Sequence, residues 1–387
     1  MALVRCKNCL MPTTRPDTAF VDGVCSACIA YKKRKEIDWA SRQEDLLRIL
    51  ESAKPNADGY HCVVPSSGGK DSHWQVLKLI ELGVRPLVVT ATTCMLTEIG
   101  KANIRNLARY ATTVEVTPNL RVRALLNRLG LELVGDVAWP EHVGIFSIPW
   151  RIAKQNNIEL IFYGESPTVE YGGPMDALSI GQMTRRWITE FGQHLGMRPN
   201  DLVGQHGLRR EDMADYQMPS EADMGAIQAY FLGHFYPWDS HRNARQAAAA
   251  GMSTPLPAAY NWWHGENVDS GMTGIHDFFC WLKHGFGRAC AQLSIDIRNG
   301  YLSRDEAMAV LVERDGLFPF EYMGISLQEV LRHIGISQDS FIEICNNYLN
   351  KLLFVEERIE WGRELTLRDP EWVDQLSKFQ RGAFLAD

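Results

Sequence analysis

The segment Ser66-Ser67-Gly68-Gly69-Lys70-Asp71-Ser72 constrains this chain more than any other. A short apolar run, Cys62-Val63-Val64-Pro65, leads into it, and an amphipathic stretch with Trp74, Val76, Leu77, Leu79 and Ile80 follows. The order strand, glycine-rich turn, helix aims several backbone N–H groups and the positive end of a helix dipole at one spot, where an anion binds. The two glycines let the backbone approach a phosphate closely. The serines add hydroxyl donors, Lys70 a point charge, and Asp71 an oxygen for magnesium. A Walker loop needs four residues between its first glycine and Gly-Lys-Ser/Thr, and this turn lacks that spacing.

Further strands follow at the spacing of βαβ units. Arg85–Thr92 reads as a second buried strand. A helix near Asn103–Tyr110 leads to a third strand at Thr113–Val116, and Ile158–Tyr163 is a fourth, ending in Gly164-Glu165-Ser166. The expected fold is α/β, a Rossmann-like doubly wound parallel sheet. Ligands of such sheets sit at the carboxyl ends of the strands, so Ala91, Thr92 and Thr93 should face a nucleoside. Glu165 reads as a magnesium or substrate contact, or as an ordinary loop acid. Glu170-Tyr171-Gly172-Gly173 is a loop held near a ligand or a plain turn. The string Phe235 to Asn243 suits a sugar or nucleotide, or a polar interface. Trp262-Trp263-His264 reads as core or interface.

Lys283 and Arg288 lie five positions apart with Gly285 and Gly287 between them. Together they suit a phosphate clamp. Ser303 with Glu306, and Ser326 with Glu329, are capping boxes that open helices, so the chain after residue 300 reads as helical.

Near the N-terminus, Cys6-x2-Cys9 and Cys25-x2-Cys28 have the spacing of a zinc ribbon. Four thiolates leave no open position, so such a zinc is structural. An iron–sulfur cluster uses the same ligands, and reactive redox cysteines are a third reading. The run Lys32-Lys33-Arg34-Lys35 marks either a nucleic-acid contact or a solvated helix start. The expected organisation is a ribbon over 1–40, a nucleotide domain with a substrate-binding insertion over 41–300, and a helical region over 301–387.

Composition narrows the class. With 387 residues, 45% of them hydrophobic and 22% charged, the chain has ample core. No apolar run is long enough to span a membrane, and no secretory leader is read. A cytoplasmic protein without a disulfide framework is therefore expected. The net charge of −7 argues against gripping long nucleic acids.

The loop resembles the S-G-G-x-D-S loop of the ATP pyrophosphatases, the PP-loop superfamily. Taken with the paired cysteines, Gly164-Glu165-Ser166, Glu170-Tyr171-Gly172-Gly173 and the stretch Lys283 to Arg288, the chain resembles the N-acetyl sugar amidotransferases of bacterial surface-polysaccharide synthesis. That resemblance implies ATP and magnesium as cofactors beside structural zinc. It implies a nucleotide-linked sugar whose N-acetyl group becomes an acetamidino group, as in LPS O-antigen synthesis. It implies ammonia from a separate glutaminase and a cyclase-like partner. On this reading Lys70, Asp71, Lys283 and Arg288 carry the chemistry. Ser66, Ser67, Gly68, Gly69, Ser72, Thr92, Gly164 and Glu165 bind the cofactor, and Cys6, Cys9, Cys25 and Cys28 hold metal. A tRNA thiolation enzyme shares the loop and is the alternative; it needs a reactive cysteine beside the loop, for which Cys94 is the candidate. A non-catalytic nucleotide-binding scaffold is a further alternative.

Overall fold

The computed structural model describes residues 2–192, 194–359, 362–369 and 378–381. Its centre is a five-stranded, all-parallel sheet. The strands are β1 (Cys62–Pro65), β2 (Pro86–Ala91), β3 (Thr112–Val116), β4 (Leu160–Tyr163) and β5 (Gln228–Phe231), in the order β3-β2-β1-β4-β5. Val63 of β1 lies opposite Leu87 on one side and Ile161 on the other. The expected second, third and fourth strands all form, their ends differing from expectation by at most two residues.

Period-two alternation explains why the sheet is covered on both faces. Cys62, Val64, Val88, Leu160 and Phe162 pack with Trp74, Val76 and Leu79 of α1 (Lys70–Glu81) and with Leu107 of α2 (Glu98–Leu107). The intervening positions Val63, Leu87, Val89, Ile161 and Tyr163 pack the other way. They meet Ile148, Trp150 and Ile152, which belong to a helix introduced below. Each fully buried aliphatic side chain of this kind contributes about 1.5–3 kcal/mol.

Between β3 and β4 run α3 (Leu120–Val134) and α4 (Trp139–Gln155), the latter supplying the three residues just named. Gly135 closes α3 in the left-handed conformation, at φ 63°. Beyond β5 come α5 (Ser240–Ala249), α6 (Thr273–His284), α7 (Arg288–Asn299), α8 (Arg304–Arg314), α9 (Leu327–Ile334) and α10 (Gln338–Tyr348). The capping boxes at Ser303 and Ser326 form as expected. After α10 the chain departs from the helical expectation. Phe354–Ile359, Gly362–Leu367 and Lys378–Arg381 make a three-stranded antiparallel sheet.

A second core joins the two ends of the chain. Leu3, Met11 and the four ribbon cysteines share one apolar cluster with Phe278 and Trp281 of α6, Leu293 of α7, Leu311 of α8, Phe341 of α10, and Leu365. The backbone N–H of Leu3 donates to Arg368 O at 2.7 Å, and buried Arg5 pairs with buried Asp369 at 2.7 Å. The border expected at residue 300 therefore runs through a continuous core. Among the described residues no helix is long and apolar enough to cross a membrane.

Candidate active site

The strand order reverses direction between β1 and β4, and ligands of open α/β sheets bind in the crevice at such a point. The segment Ser66–Ser72 leaves β1 there, and Gly164-Glu165 leaves β4 beside it. The loop holds its own shape. The N–H of Ser67 donates to Ser72 Oγ at 3.3 Å, that of Gly68 to Ser66 Oγ at 3.0 Å, and that of Gly69 to Ser67 Oγ at 3.4 Å. Gly68 takes φ +79°, and a Cβ there would lie 2.8 Å from the backbone nitrogen of Ile104. Only glycine meets both demands. Behind the loop, fully buried His73 bonds Gly69 O at 3.0 Å through Nδ1, and its Nε2 meets Asn106 Nδ2 at 3.0 Å. The carbonyl fixes Nδ1 as the protonated nitrogen, and burial lowers the ring's pKa.

A cavity of about 350 Å³ opens from the loop. Seven of the expected site residues line it: Ser67, Gly69, Lys70, Asp71, Ser72, Glu165 and Arg288. Lys70 is only 5% exposed; its Nζ lies 2.7 Å from Asp71 and 2.5 Å from Glu266. Burial opposes the ammonium, but those two carboxylates hold its pKa well above the usual value. Asn243 of α5 donates to Asp71 Oδ1 at 2.9 Å and fixes the other side of that carboxylate. Arg288 forms a two-pronged pair with Asp277, at 2.8 and 3.2 Å, and lies at the start of α7.

The cavity is rich in acid. Burial, with Asp71 close by, pushes the Glu165 carboxyl up to about 8, and burial brings Asp269 to about 6. Hard oxygen donors crowded enough to hold one another's protons fit magnesium, whose charge would reverse that shift. Asp71 and Glu165 are the residues that would hold it.

The other expected residues sit elsewhere. Lys283 is not among the residues lining the cavity: its Nζ donates to the carbonyls of Gly135 at 2.9 Å and Val134 at 3.4 Å, closing the C-terminus of α3. The glycine corner at 285–287 puts it on a different helix from Arg288, so five positions in sequence do not make a clamp. Thr92 turns inward, its hydroxyl 3.0 Å from Thr117 Oγ1 and its carbonyl 2.6 Å from Arg123 Nη1; its neighbour Thr93 lines the cavity instead. Ser66 and Gly68 are not among the residues lining the cavity: Ser66 N donates to Val89 O at 2.9 Å, and Gly68 lies against the Ile104 backbone. Gly164 leaves room for Gln75, whose Nε2 would lie 2.3 Å from an added Cβ. The 170–173 loop packs on the ribbon, with Gly173 N donating to Ser26 Oγ at 3.1 Å. Sequence reasoning missed His73, Glu266 and Asp269. Glu266 and Asp269 follow the loop by about two hundred positions with no motif around them, and His73 reads as an ordinary helix residue.

A second cavity of about 530 Å³ meets the first at Lys70. Trp262, Trp263 and His241 line it. Buried Asp296 accepts from all three: Trp262 Nε1 at 2.9 Å, Trp263 Nε1 at 3.1 Å and His241 Nε2 at 2.7 Å. One carboxylate thus fixes three aromatic rings.

The ribbon cysteines converge as their spacing requires. Their sulfurs lie within 4.8 Å of one another, Cys6 to Cys28 at 3.8 Å and Cys9 to Cys25 at 3.6 Å. Zinc–sulfur bonds of about 2.3 Å in a tetrahedron put sulfurs roughly 3.8 Å apart, so the set fits zinc. The N–H groups of Asn8 and Cys25 point at Cys6 Sγ, and Arg298 reaches Cys9 Sγ at 3.7 Å, which balances thiolate charge.

A parallel sheet with a glycine-serine turn at its switch point and a charged cavity above it defines a doubly wound α/β protein. Residues 258–367 match the family described as "LPS biosynthesis protein WbpG-like, C-terminal domain". That span supplies Glu266, Asp269 and Arg288 to the wall of the first cavity and Trp262 and Trp263 to that of the second. No curated protein sequence matches the chain. Among solved structures, the chain is similar to an NMN synthetase from Francisella tularensis, at 12% identity over 57% of this chain and 99% of that one, with a TM-score of 0.26. An NH3-dependent NAD synthetase from Campylobacter jejuni subsp. jejuni NCTC 11168 aligns at 11% identity over 57% and 100%, with a TM-score of 0.28. At those scores neither carries weight for the site.

Proposed function

We propose that this chain is an ATP-dependent amidotransferase that converts the N-acetyl group of a nucleotide-linked sugar into an acetamidino group, in LPS O-antigen or other surface-glycan synthesis. The observation that carries this is the intact loop, with Lys70, Asp71 and Glu165, opening on a cavity whose far wall comes from the WbpG-like segment. An amide carbonyl is a weak electrophile for ammonia. Attack of the amide oxygen on the α-phosphorus of ATP expels pyrophosphate and leaves an O-adenylyl imidate. Ammonia then adds to the imidate carbon, loses a proton, and AMP departs with the former amide oxygen.

The protein's part is to position and to stabilise charge. Ser67, Gly69 and Ser72 cradle the departing pyrophosphate, while Lys70 and Arg288 neutralise it. Magnesium, held by Asp71 and Glu165, supplies further charge neutralisation when bound. The cavity of Trp262, Trp263 and His241 takes the sugar, with Lys70 between the two substrates. Water must be kept out, or the imidate is hydrolysed. Ammonia comes from a partner glutaminase with its cyclase-like companion, and the reaction runs in the cytoplasm. The thiolation reading finds less support: Cys94 is buried, and burial together with Glu141 pushes its thiol up to about 12, so it is a poor nucleophile.

The test is mass spectrometry of products after incubation with ATP, magnesium, ammonium and a panel of UDP-N-acetyl sugars. A product whose mass falls by the difference between oxygen and an NH group, formed with AMP and pyrophosphate, is expected. ADP and phosphate instead would sink the α-phosphorus mechanism. AMP release only with tRNA and a sulfur donor would transfer the case to thiolation.

A further inference from the structure

One group of side chains on the cavity wall has no part in the chemistry above. Asp136 sits in the turn between α3 and α4, His142 on α4, and His276 on α6. One ligand atom from each lies within 4.8 Å of the other two. Both histidines line the cavity that holds Lys70 and Glu165. We propose that these three residues form an open site for a divalent transition-metal ion, zinc foremost, separate from the four-cysteine centre.

Four observations carry it. The donor set, two imidazoles and one carboxylate, suits borderline divalent ions rather than magnesium. Asp136 is 2% exposed, and its two oxygens are used unequally. Oδ1 accepts from Ala138 N at 2.9 Å and lies 2.8 Å from His276 Nδ1, whose proton a bound ion would replace. Oδ2 lies 3.0 Å from His142 Nδ1, yet neither of these buried atoms is aligned for a hydrogen bond. Two buried polar atoms left facing each other in this way are donors awaiting a shared partner. Tetrahedral zinc, with bonds of about 2.0 Å, spaces its nitrogen and oxygen donors roughly 3.3 Å apart, so a small rotation of the two rings admits the ion.

The surroundings are built to hold the group still. Asp136 N donates to Gly130 O at 3.0 Å, and a Cβ on Gly130 would lie 2.5 Å from Asp136 O, so the two backbones approach as only glycine allows. Lys283 anchors the carbonyls of Val134 and Gly135 immediately before Asp136. With His276 ligating through Nδ1, its Nε2 faces Asp277 Oδ1 at 4.0 Å, and Asp277 is itself held by Arg288. A carboxylate behind a ligating histidine is the usual second layer of a metal site. Three protein ligands leave a coordination position open toward the cavity, the pattern of a working rather than a structural ion.

The experiment is metal analysis of the full-length chain, followed by cobalt(II) substitution, and it does not depend on any enzymatic activity. Two equivalents per chain are expected in the wild type. Cobalt at four thiolates gives intense charge-transfer absorption; cobalt on imidazole and carboxylate adds weaker bands without it. His142→Gln and His276→Gln should each lose the second equivalent and the weak bands while keeping the thiolate absorption, which also reports that the variant is folded. One equivalent in the wild type overturns the proposal without recourse to any variant. Two equivalents that persist in both histidine variants overturn it as well, since the second ion then lies elsewhere.

Discussion

Lys70→Ala probes the loop where its charge is most tightly committed. The ammonium is buried between Asp71 at 2.7 Å and Glu266 at 2.5 Å. Removing one member of a buried ion pair costs about 3–5 kcal/mol, because the partner is left charged and unmatched. Asp71 and Glu266 keep 22% and 13% side-chain exposure, so water relieves part of that, and the lower end, about 3 kcal/mol, applies. For 387 residues, an unfolding entropy of about 2.1 cal/mol/K per residue gives roughly 0.8 kcal/mol/K, and Tm should fall by about 4 °C. AMP formation should vanish while zinc content stays unchanged. Lys70→Ala with Glu266→Gln removes one stranded carboxylate. It should recover about half of the lost Tm and none of the activity. The readouts are a thermal melt, AMP release and metal content on the same preparations. AMP formation that survives Lys70→Ala, or zinc that leaves together with activity, would refute the reasoning.

Other expectations follow from particular contacts. Gly68→Ala forces a side chain into φ +79° and against the Ile104 backbone, a strain of about 2–4 kcal/mol; ATP binding, followed by calorimetry, should weaken more than tenfold, and Tm should fall by about 2–5 °C. Lys283→Met removes the donor to Val134 and Gly135, so it should lower stability by about 1–2 kcal/mol with nucleotide affinity unchanged; a large loss of ATP affinity would restore the phosphate-clamp reading. Stripping metal from the cysteines should unfold the cluster around Phe278 and Trp281 and not the ribbon alone, seen as a loss of tryptophan signal. Asp315 is buried with its carboxyl raised to about 6 and accepts Gly287 N at 2.7 Å. The folded state holds its proton more tightly than the unfolded one, so its contribution to stability is full below about pH 4 and lost as pH rises through 6. Asp315→Asn should therefore stabilise the protein at pH 7 relative to wild type and give no gain at pH 4, by urea titration at both values.

What was legible in the sequence was what is encoded locally. Val63 and Val64 announce a strand covered on both faces, and Ser66 to Ser72 announce the turn, because strand period and turn chemistry act over a few residues. The cysteine pairs are legible for the same reason. Lys283 misled because spacing along the chain stood in for spacing in the fold; Gly285, at φ +75°, ends one helix, and Arg288 begins the next. Glu266 and Asp296 were invisible as site residues. Nothing near them in sequence says that the chain returns to the loop after two hundred residues to set a carboxylate on Lys70 and another under two indoles.

The bond from Leu3 to Arg368 and the pair of Arg5 with Asp369 have a consequence for how the molecule is made. Synthesis delivers the ribbon well before the surfaces that bury it. Throughout translation the cysteine segment must wait, already able to take up metal, with its apolar side uncovered until the final strands leave the ribosome. Long-range closure of this sort is slow and leaves sticky surface exposed meanwhile. Cutting the chain before Leu365 would then be felt first at the opposite end, as a ribbon that binds its ion but never docks.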